Sequence, residues 1–154
     1  MKKLLVILIC LFVSPEVKSK SDDLSGKKLL CEDDTQSVKV FEGYEFYSNG
    51  QVTYYYYQRY LDAPITKESD FWSYTTSTDK IYLERTKLPD FIITHNKLID
   101  RLTLEGHEYT DYDMEGREDP QYFSKCKIFE GDLYNHLKEI KQNFDNEVKS
   151  KQKI

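Results

Sequence analysis

Residues Val38 to Tyr47 alternate: Val38, Val40, Tyr44 and Phe46 share one parity, and Lys39, Phe41, Gly43, Glu45 and Tyr47 the other. A period of two is the side-chain repeat of a β-strand, whereas a helix repeats at 3.6. The run stops at Ser48-Asn49-Gly50-Gln51, and a second one, Val52 to Leu61 (VTYYYYQRYL), follows at once. Asn-Gly between two such runs predicts a hairpin closed by a type I′ turn, because both residues accept a positive φ.

Further β-type runs cover Lys27 to Glu32, opened by Ser25-Gly26, and then Phe71 to Thr76, Lys80 to Arg85, Phe91 to Thr94, Leu98 to Glu105 and Tyr122 to Phe129. Turn-forming residues separate several of them: Ala63-Pro64, Ser77-Thr78-Asp79, Leu88-Pro89-Asp90 and Met114-Glu115-Gly116. With no helical stretch between the runs, a βαβ fold is excluded. The expectation is a mainly β chain, an antiparallel meander of seven to eight strands forming a small barrel or a strongly curled sheet. Thirteen tyrosines and eight phenylalanines suit such a sheet, since flat rings pack well on a pleated surface.

After Gly131 the period changes. Leu133, Leu137, Ile140, Phe144 and Val148 recur at steps of three and four, with Asp132 in place to cap the first turn. One C-terminal amphipathic α-helix over 132–150 is expected, its apolar stripe docked on the β domain of residues 20–131. Residues 151–154 fray.

The first residues read as a secretory leader. Lys2 and Lys3 precede an unbroken apolar run, Leu4 to Val13, which is too short for a membrane span of about 20 residues. Val17 and Ser19 suit a cut after Ser19, so 1–19 is the signal peptide and the mature chain starts at Lys20 without an integral membrane segment. Cys10 follows Ile9, where a lipid-anchoring motif needs a small residue. The protein is expected to be exported, to a periplasm or to the medium.

Cleavage removes Lys2, Lys3, Lys18 and Glu16, so the 22 basic and 27 acidic side chains become 19 and 26, a net charge of −7. Nucleic acid and anionic membranes both reward positive charge, and both are excluded as partners. Two cysteines remain, Cys31 early and Cys126 late. In an oxidising compartment they are expected to pair, which would set the first strand beside a late one.

Leu24-Ser25-Gly26-Lys27-Lys28-Leu29-Leu30-Cys31 resembles the opening of a group of small exported bacterial proteins of unknown function, which continue with aromatic hairpins around a segment like Gly43-Tyr44-Glu45-Phe46 and end in a short helix. The resemblance implies an exported β domain and no particular chemistry. More distantly, a glycine in the first strand of a meander followed by a terminal helix looks like a lipocalin layout. Lipocalins carry Gly-x-Trp there, and this chain has Gly26-Lys27-Lys28.

The sequence holds no Gly-x-Ser-x-Gly elbow, His-Glu-x-x-His, phosphate-binding glycine loop or Cys-x-x-Cys. His95, His107 and His136 are scattered, without metal-ligand spacing. No catalytic residue, cofactor or firm metal site is therefore expected. Asp111, Asp113 and Glu115 before Gly116 mimic the start of a calcium loop, but Tyr122 occupies the twelfth position, where a bidentate Glu belongs.

The densest aromatic feature is Tyr54-Tyr55-Tyr56-Tyr57 with Tyr60 and Trp72. One face is core, and Tyr54, Tyr56, Tyr60 and Trp72 are the candidate ligand-binding side chains. The alternative is an aromatic strand packed on both faces, between core and helix. The function expected first is a non-enzymatic binding protein for a small apolar or aromatic ligand. Second comes a protein-interaction or inhibitor module acting through loops and the helix face, and third a hydrolase.

Overall fold

The computed structural model describes residues 24–33, 38–60, 62–86, 93–112 and 120–151. The leader read over 1–19, the Leu88-Pro89-Asp90 turn and the Met114-Glu115-Gly116 turn lie outside them. Eight antiparallel strands run in sequence order: β1 (Lys28–Asp33), β2 (Val40–Phe46), β3 (Gln51–Gln58), β4 (Thr66–Thr76), β5 (Lys80–Arg85), β6 (Ile93–Asp100), β7 (Glu105–Tyr112) and β8 (Pro120–Ile128). Each pairs with the next, and β8 returns to β1, so the sheet closes into a barrel. One helix, α1 (Leu133–Lys151), follows.

Closure removes the unpaired edges that an open sheet presents to other chains. At the seam Leu29 faces Ile128, Leu30 faces Lys127, Cys31 faces Cys126 and Glu32 faces Lys125. Cys31 and Cys126 form the expected disulfide across directly opposed positions, with their Cα atoms 3.8 Å apart. The bond joins residues 95 apart in sequence, so it closes a loop around the whole barrel.

Alternation then decides what lies inside. Leu29, Cys31, Tyr44, Phe46, Val52, Tyr54, Trp72, Tyr74, Ile81, Leu83 and Ile99 form one buried cluster within the barrel. A second cluster lies outside the wall: Leu30, Phe41, Tyr55 and Tyr57 pack against Leu133 and Leu137 of α1. The four-tyrosine run is therefore buried from both sides, with Tyr54 and Tyr56 turned to the interior and Tyr55 and Tyr57 to the helix. Asp132 caps α1 as expected, its Oδ1 accepting the Asn135 amide at 2.9 Å. Gly43 lets the helix come close, since a Cβ there would lie 3.3 Å from Tyr55 Cβ and 3.4 Å from both Leu133 methyls.

Three local expectations are corrected. The β2–β3 hairpin forms, but Gly50 alone takes a positive φ, 80°, so the turn is not type I′. Gly50 N–H donates to the Tyr47 carbonyl at 3.1 Å and Tyr47 N–H to the Gln51 carbonyl at 3.0 Å. That is the three-residue loop in which a turn is followed by a left-handed glycine. β3 stops at Gln58 instead of Leu61, and β4 starts at Thr66 instead of Phe71. Its first residues are polar and mostly exposed, and the ladder from Lys67 and Glu68 to Tyr55 and Tyr54 holds them in place of apolar burial.

The runs Phe91 to Thr94 and Leu98 to Glu105 are replaced by β6, which is continuous through His95-Asn96-Lys97, a turn, and β7, which was not anticipated. Asp100 makes the turn: its Oδ1 accepts the amides of Leu102 at 2.8 Å and Thr103 at 2.9 Å. Leu104 completes it at a φ of 57°. A short polar side chain that bonds its own following backbone ends a strand as well as Gly or Pro does.

Two outcomes test this architecture. Replacing both Cys31 and Cys126 by Ser is expected to lower unfolding stability by about 2–5 kcal/mol in urea titrations, since the bridge constrains the unfolded chain; an unchanged midpoint would show that the seam holds without it. Gly43→Val is expected to cost about 1–3 kcal/mol by forcing Leu133 away, with helix protection lost in hydrogen exchange before barrel protection. Simultaneous loss of both would contradict a helix that merely leans on the wall.

Candidate functional site

The barrel interior is graded along its axis. At the end bearing the β2–β3 and β4–β5 hairpins it is filled: Phe46, Val52 and Ile81 are at most 2% exposed, and the Phe46 and Tyr74 rings meet edge to face at 4.9 Å. Towards the other end lies a cavity of about 360 Å³ that opens to solvent. This is the lower end of the range of about 300–1,000 Å³ usual for small-molecule sites. A broader depression over Glu45, Tyr47, Lys67 and Asp70 lies on the outer surface and is too open to enclose a ligand.

Aromatic side chains form one wall of the cavity. Tyr44, Tyr54, Tyr56 and Trp72 line it. Ring centroids are 5.5 Å apart for Tyr44 and Tyr54, 6.4 Å for Tyr54 and Tyr56, and 4.9 Å for Tyr54 and Trp72. Three of the four residues nominated from the sequence, Tyr54, Tyr56 and Trp72, thus come together. Tyr60 does not join them. The chain leaves the strand after Gln58, so the alternation no longer applies, and Tyr60 is half exposed on the connection.

Charges form the rest of the lining, and these the sequence reading did not single out. Lys97 of β6 is buried between two carboxylates: its Nζ donates to Glu42 Oε1 of β2 and lies 3.2 Å from Glu108 Oε2 of β7. Glu42 also accepts the Tyr44 hydroxyl at 2.9 Å and the Tyr54 hydroxyl at 2.8 Å. Beside the aromatic wall, Glu68 of β4, in register with Tyr54, accepts Trp72 Nε1–H at 2.7 Å and an Arg85 N–H at 2.8 Å. A signal for Glu42 did exist: it shares the parity of Val40, Tyr44 and Phe46, so an inward strand face carried a carboxylate.

A buried ion is tolerated only when its partners replace water. Burial by itself would raise the Glu42 carboxyl, but Lys97 and the two tyrosine hydroxyls outweigh it and hold the group below the ordinary carboxylate range. Burial would lower the Lys97 ammonium, and Glu42 and Glu108 hold it above the ordinary lysine value. Tyr44 and Tyr54 are pushed well above the usual phenol value, first by burial and then by the Glu42 charge. At neutral pH Glu42 is therefore a carboxylate, Lys97 an ammonium, and Tyr44 and Tyr54 neutral phenols.

His107 lines the cavity, whereas His136 sits on α1 with its ring 4.9 Å from that of Phe129. Among the described residues no group of His, Cys, Asp and Glu is arranged to hold a metal. Of the weak calcium candidates, Asp111 is described only as backbone in β7 opposite Thr94, and Asp113 and Glu115 lie outside the described residues. No helix among those residues is long and apolar enough to cross a membrane. No family model, curated protein or solved structure matches the chain.

The cluster implies a bounded pH window of stability. Glu42 titrates lower folded than unfolded, so its contribution is present above the unfolded value of about 4.3 and is lost as pH falls through the folded one. Lys97, Tyr44 and Tyr54 titrate higher folded, so theirs is present below about 10 and is lost as pH rises. Stability measured by urea unfolding should form a plateau between those limits. Lys97→Met, which leaves two carboxylates without their cation, is expected to cost about 3–5 kcal/mol at pH 7, and a cost near zero would show that the cluster is dispensable.

Proposed function

We propose that the protein is a non-enzymatic binding protein that holds one small molecule in the open end of the barrel. A single observation carries the proposal: the cavity of about 360 Å³ has an aromatic wall and a set of convergent polar groups, next to a closely buried cluster of interior side chains. Eight-stranded up-and-down barrels are wide enough either to fill with side chains or to keep room for one small ligand, and a lipocalin-like layout of this kind suits the second use.

The ligand has an aromatic or apolar body, which Tyr54, Tyr56 and Trp72 would stack against, and a polar part that meets the charged lining. A role for the helix face as an interaction surface has less support, because Leu133 and Leu137 are buried against the barrel and their apolar surface is already used. Export fits the same picture. The Cys31–Cys126 bridge is compatible with an oxidising compartment, and the Met1–Ser19 leader read from the sequence supplies the route.

Trp72 is the single tryptophan of the chain and lines the cavity, so its emission reports directly on occupancy. Titration of the protein with the neutral dye N-phenyl-1-naphthylamine is expected to saturate at one dye per chain, with energy transfer from Trp72. Tyr56→Ala is expected to weaken the dye by about tenfold, the loss of one stacking contact. A dye signal that rises linearly without saturating would rule out a formed site.

A further inference from the structure

Strand β4 is irregular beside the cavity. Glu68 pairs with Tyr54 and Trp72 with Val52, so β4 places Ser69, Asp70 and Phe71 against the single residue Thr53 of β3. In a regular strand residues four apart are separated by about 13 Å, and residues two apart by about 7 Å. The bulge therefore roughly halves the distance between Glu68 and Trp72 along the sheet, and the intervening residues are left exposed.

What the bulge brings together is a carboxylate and an indole. Glu68 Oε2 accepts Trp72 Nε1–H at 2.7 Å, and Glu68 Oε1 accepts an Arg85 N–H at 2.8 Å. Arg85 stands opposite Trp72 in the β4–β5 ladder, so pairing fixes its backbone beside the ring. Both oxygens of Glu68 are thus engaged, one by the ring and one by a cation that holds the carboxylate still. Trp72 is buried but still lines the cavity. A buried indole N–H needs an acceptor, and Glu68 supplies it.

The neighbouring ring is held in the same manner. Tyr54 lies 4.9 Å from Trp72, centroid to centroid, with 44° between the planes, and its hydroxyl donates to Glu42 at 2.8 Å. Two rings of the aromatic wall are therefore tethered at their polar atoms, by two different carboxylates, before any ligand arrives. Side chains already in order do not have to be immobilised on binding, a cost that each mobile one otherwise adds.

Resting on the binding reading above, we infer that Glu68 is a positioning residue: it holds the Trp72 indole as a fixed part of the wall, and the site so preset selects a flat aromatic body over a saturated one of the same size. Fixed rings reward a partner with a π face, which meets them in offset or edge-to-face geometry. A puckered saturated skeleton gains the apolar burial without that geometry. The bulge is the structural means, since such irregularities re-aim side chains beside sites.

Two conservative variants of the full chain separate the indole bond from the charge. Glu68→Asp keeps a carboxylate for Arg85 but shortens the side chain by one methylene, withdrawing it from the indole. Glu68→Gln keeps an acceptor at full length and gives up the charge. N-phenyl-1-naphthylamine, excited directly, is expected to bind Glu68→Asp about tenfold more weakly and Glu68→Gln within about threefold of the unaltered chain. Acrylamide quenching of Trp72 is expected to rise in Glu68→Asp and to stay unchanged in Glu68→Gln. Equal losses of dye affinity in both variants, a larger loss in Glu68→Gln, or unchanged affinity or quenching in Glu68→Asp overturns the inference and leaves the binding role standing. A dye that does not saturate on the unaltered chain removes the binding role, and the inference with it.

Selection is read with 2-naphthol and decahydro-2-naphthol, which share a skeleton and a hydroxyl and differ in flatness, each used to displace the dye. 2-Naphthol is expected to act on the unaltered chain at concentrations at least about tenfold lower, and this margin to shrink in Glu68→Asp. Equal or better displacement by the saturated probe overturns the inference. Should Glu68→Asp fail to fold, Trp72→Phe removes the N–H donor and keeps a ring. A dye affinity about tenfold lower is then expected, and an unaltered affinity overturns the inference.

Discussion

Closure of the sheet on itself is the constraint from which the other features follow. Once β8 pairs with β1, no strand has a free edge, and every inward side chain must share one interior. The Cys31–Cys126 bridge spans that seam between directly opposed residues. Because it joins positions near the two ends of the β region, it excludes the extended conformations of the unfolded chain in which the seam would be widest apart. Closure also sets the limit on volume: rings as large as Tyr44, Phe46, Tyr54, Trp72 and Tyr74 fill much of a small barrel, and the remaining space collects at one end.

At that end the interior is charged, which is costly in a fold of this size unless each ion is given partners. Glu42 receives three hydrogen bonds, from Lys97, Tyr44 and Tyr54, which stand in for the water it loses. An apolar filling of the same positions would leave fewer groups to satisfy. A retained polar cluster beside open space is therefore the part of the barrel that packing alone does not explain, and it coincides with the cavity.

The helix belongs to the wall, not to the cavity. Leu133 and Leu137 cover Leu30, Phe41, Tyr55 and Tyr57, so β1 to β3 are buried on both faces while β4 and β5 keep one face in solvent. This asymmetry explains why the aromatic run sits in β3 and nowhere else. It also holds Tyr54 and Tyr56, the neighbours of Tyr55 and Tyr57, on a stiff strand beside the cavity. Arg59 adds an outer tie, its guanidinium 3.0 Å from Glu147 and stacked 4.7 Å from the Phe144 ring centroid.

Much of this was legible in local patterns. Alternation in Val38 to Tyr47 and Val52 to Gln58, the Asn49-Gly50 loop, the steps of three and four after Gly131 and the Asp132 cap are all set by residues within a few positions of one another, and local sterics and hydrogen bonds suffice to read them. β7 and the start of β4 were not legible. Their residues are polar and gain their place from ladders to strands distant in sequence, so only pairing across the sheet reveals them. The site divides in the same way. Aromatic residues of one strand announced Tyr54 and Tyr56, but Glu42, Lys97 and Glu108 come from three strands and become a cluster only when the barrel closes. A charged residue in a strand is ambiguous by itself, because the face it occupies depends on register and on what covers that face. The tertiary structure resolved it by burying the three together, where each makes the others' charge tolerable.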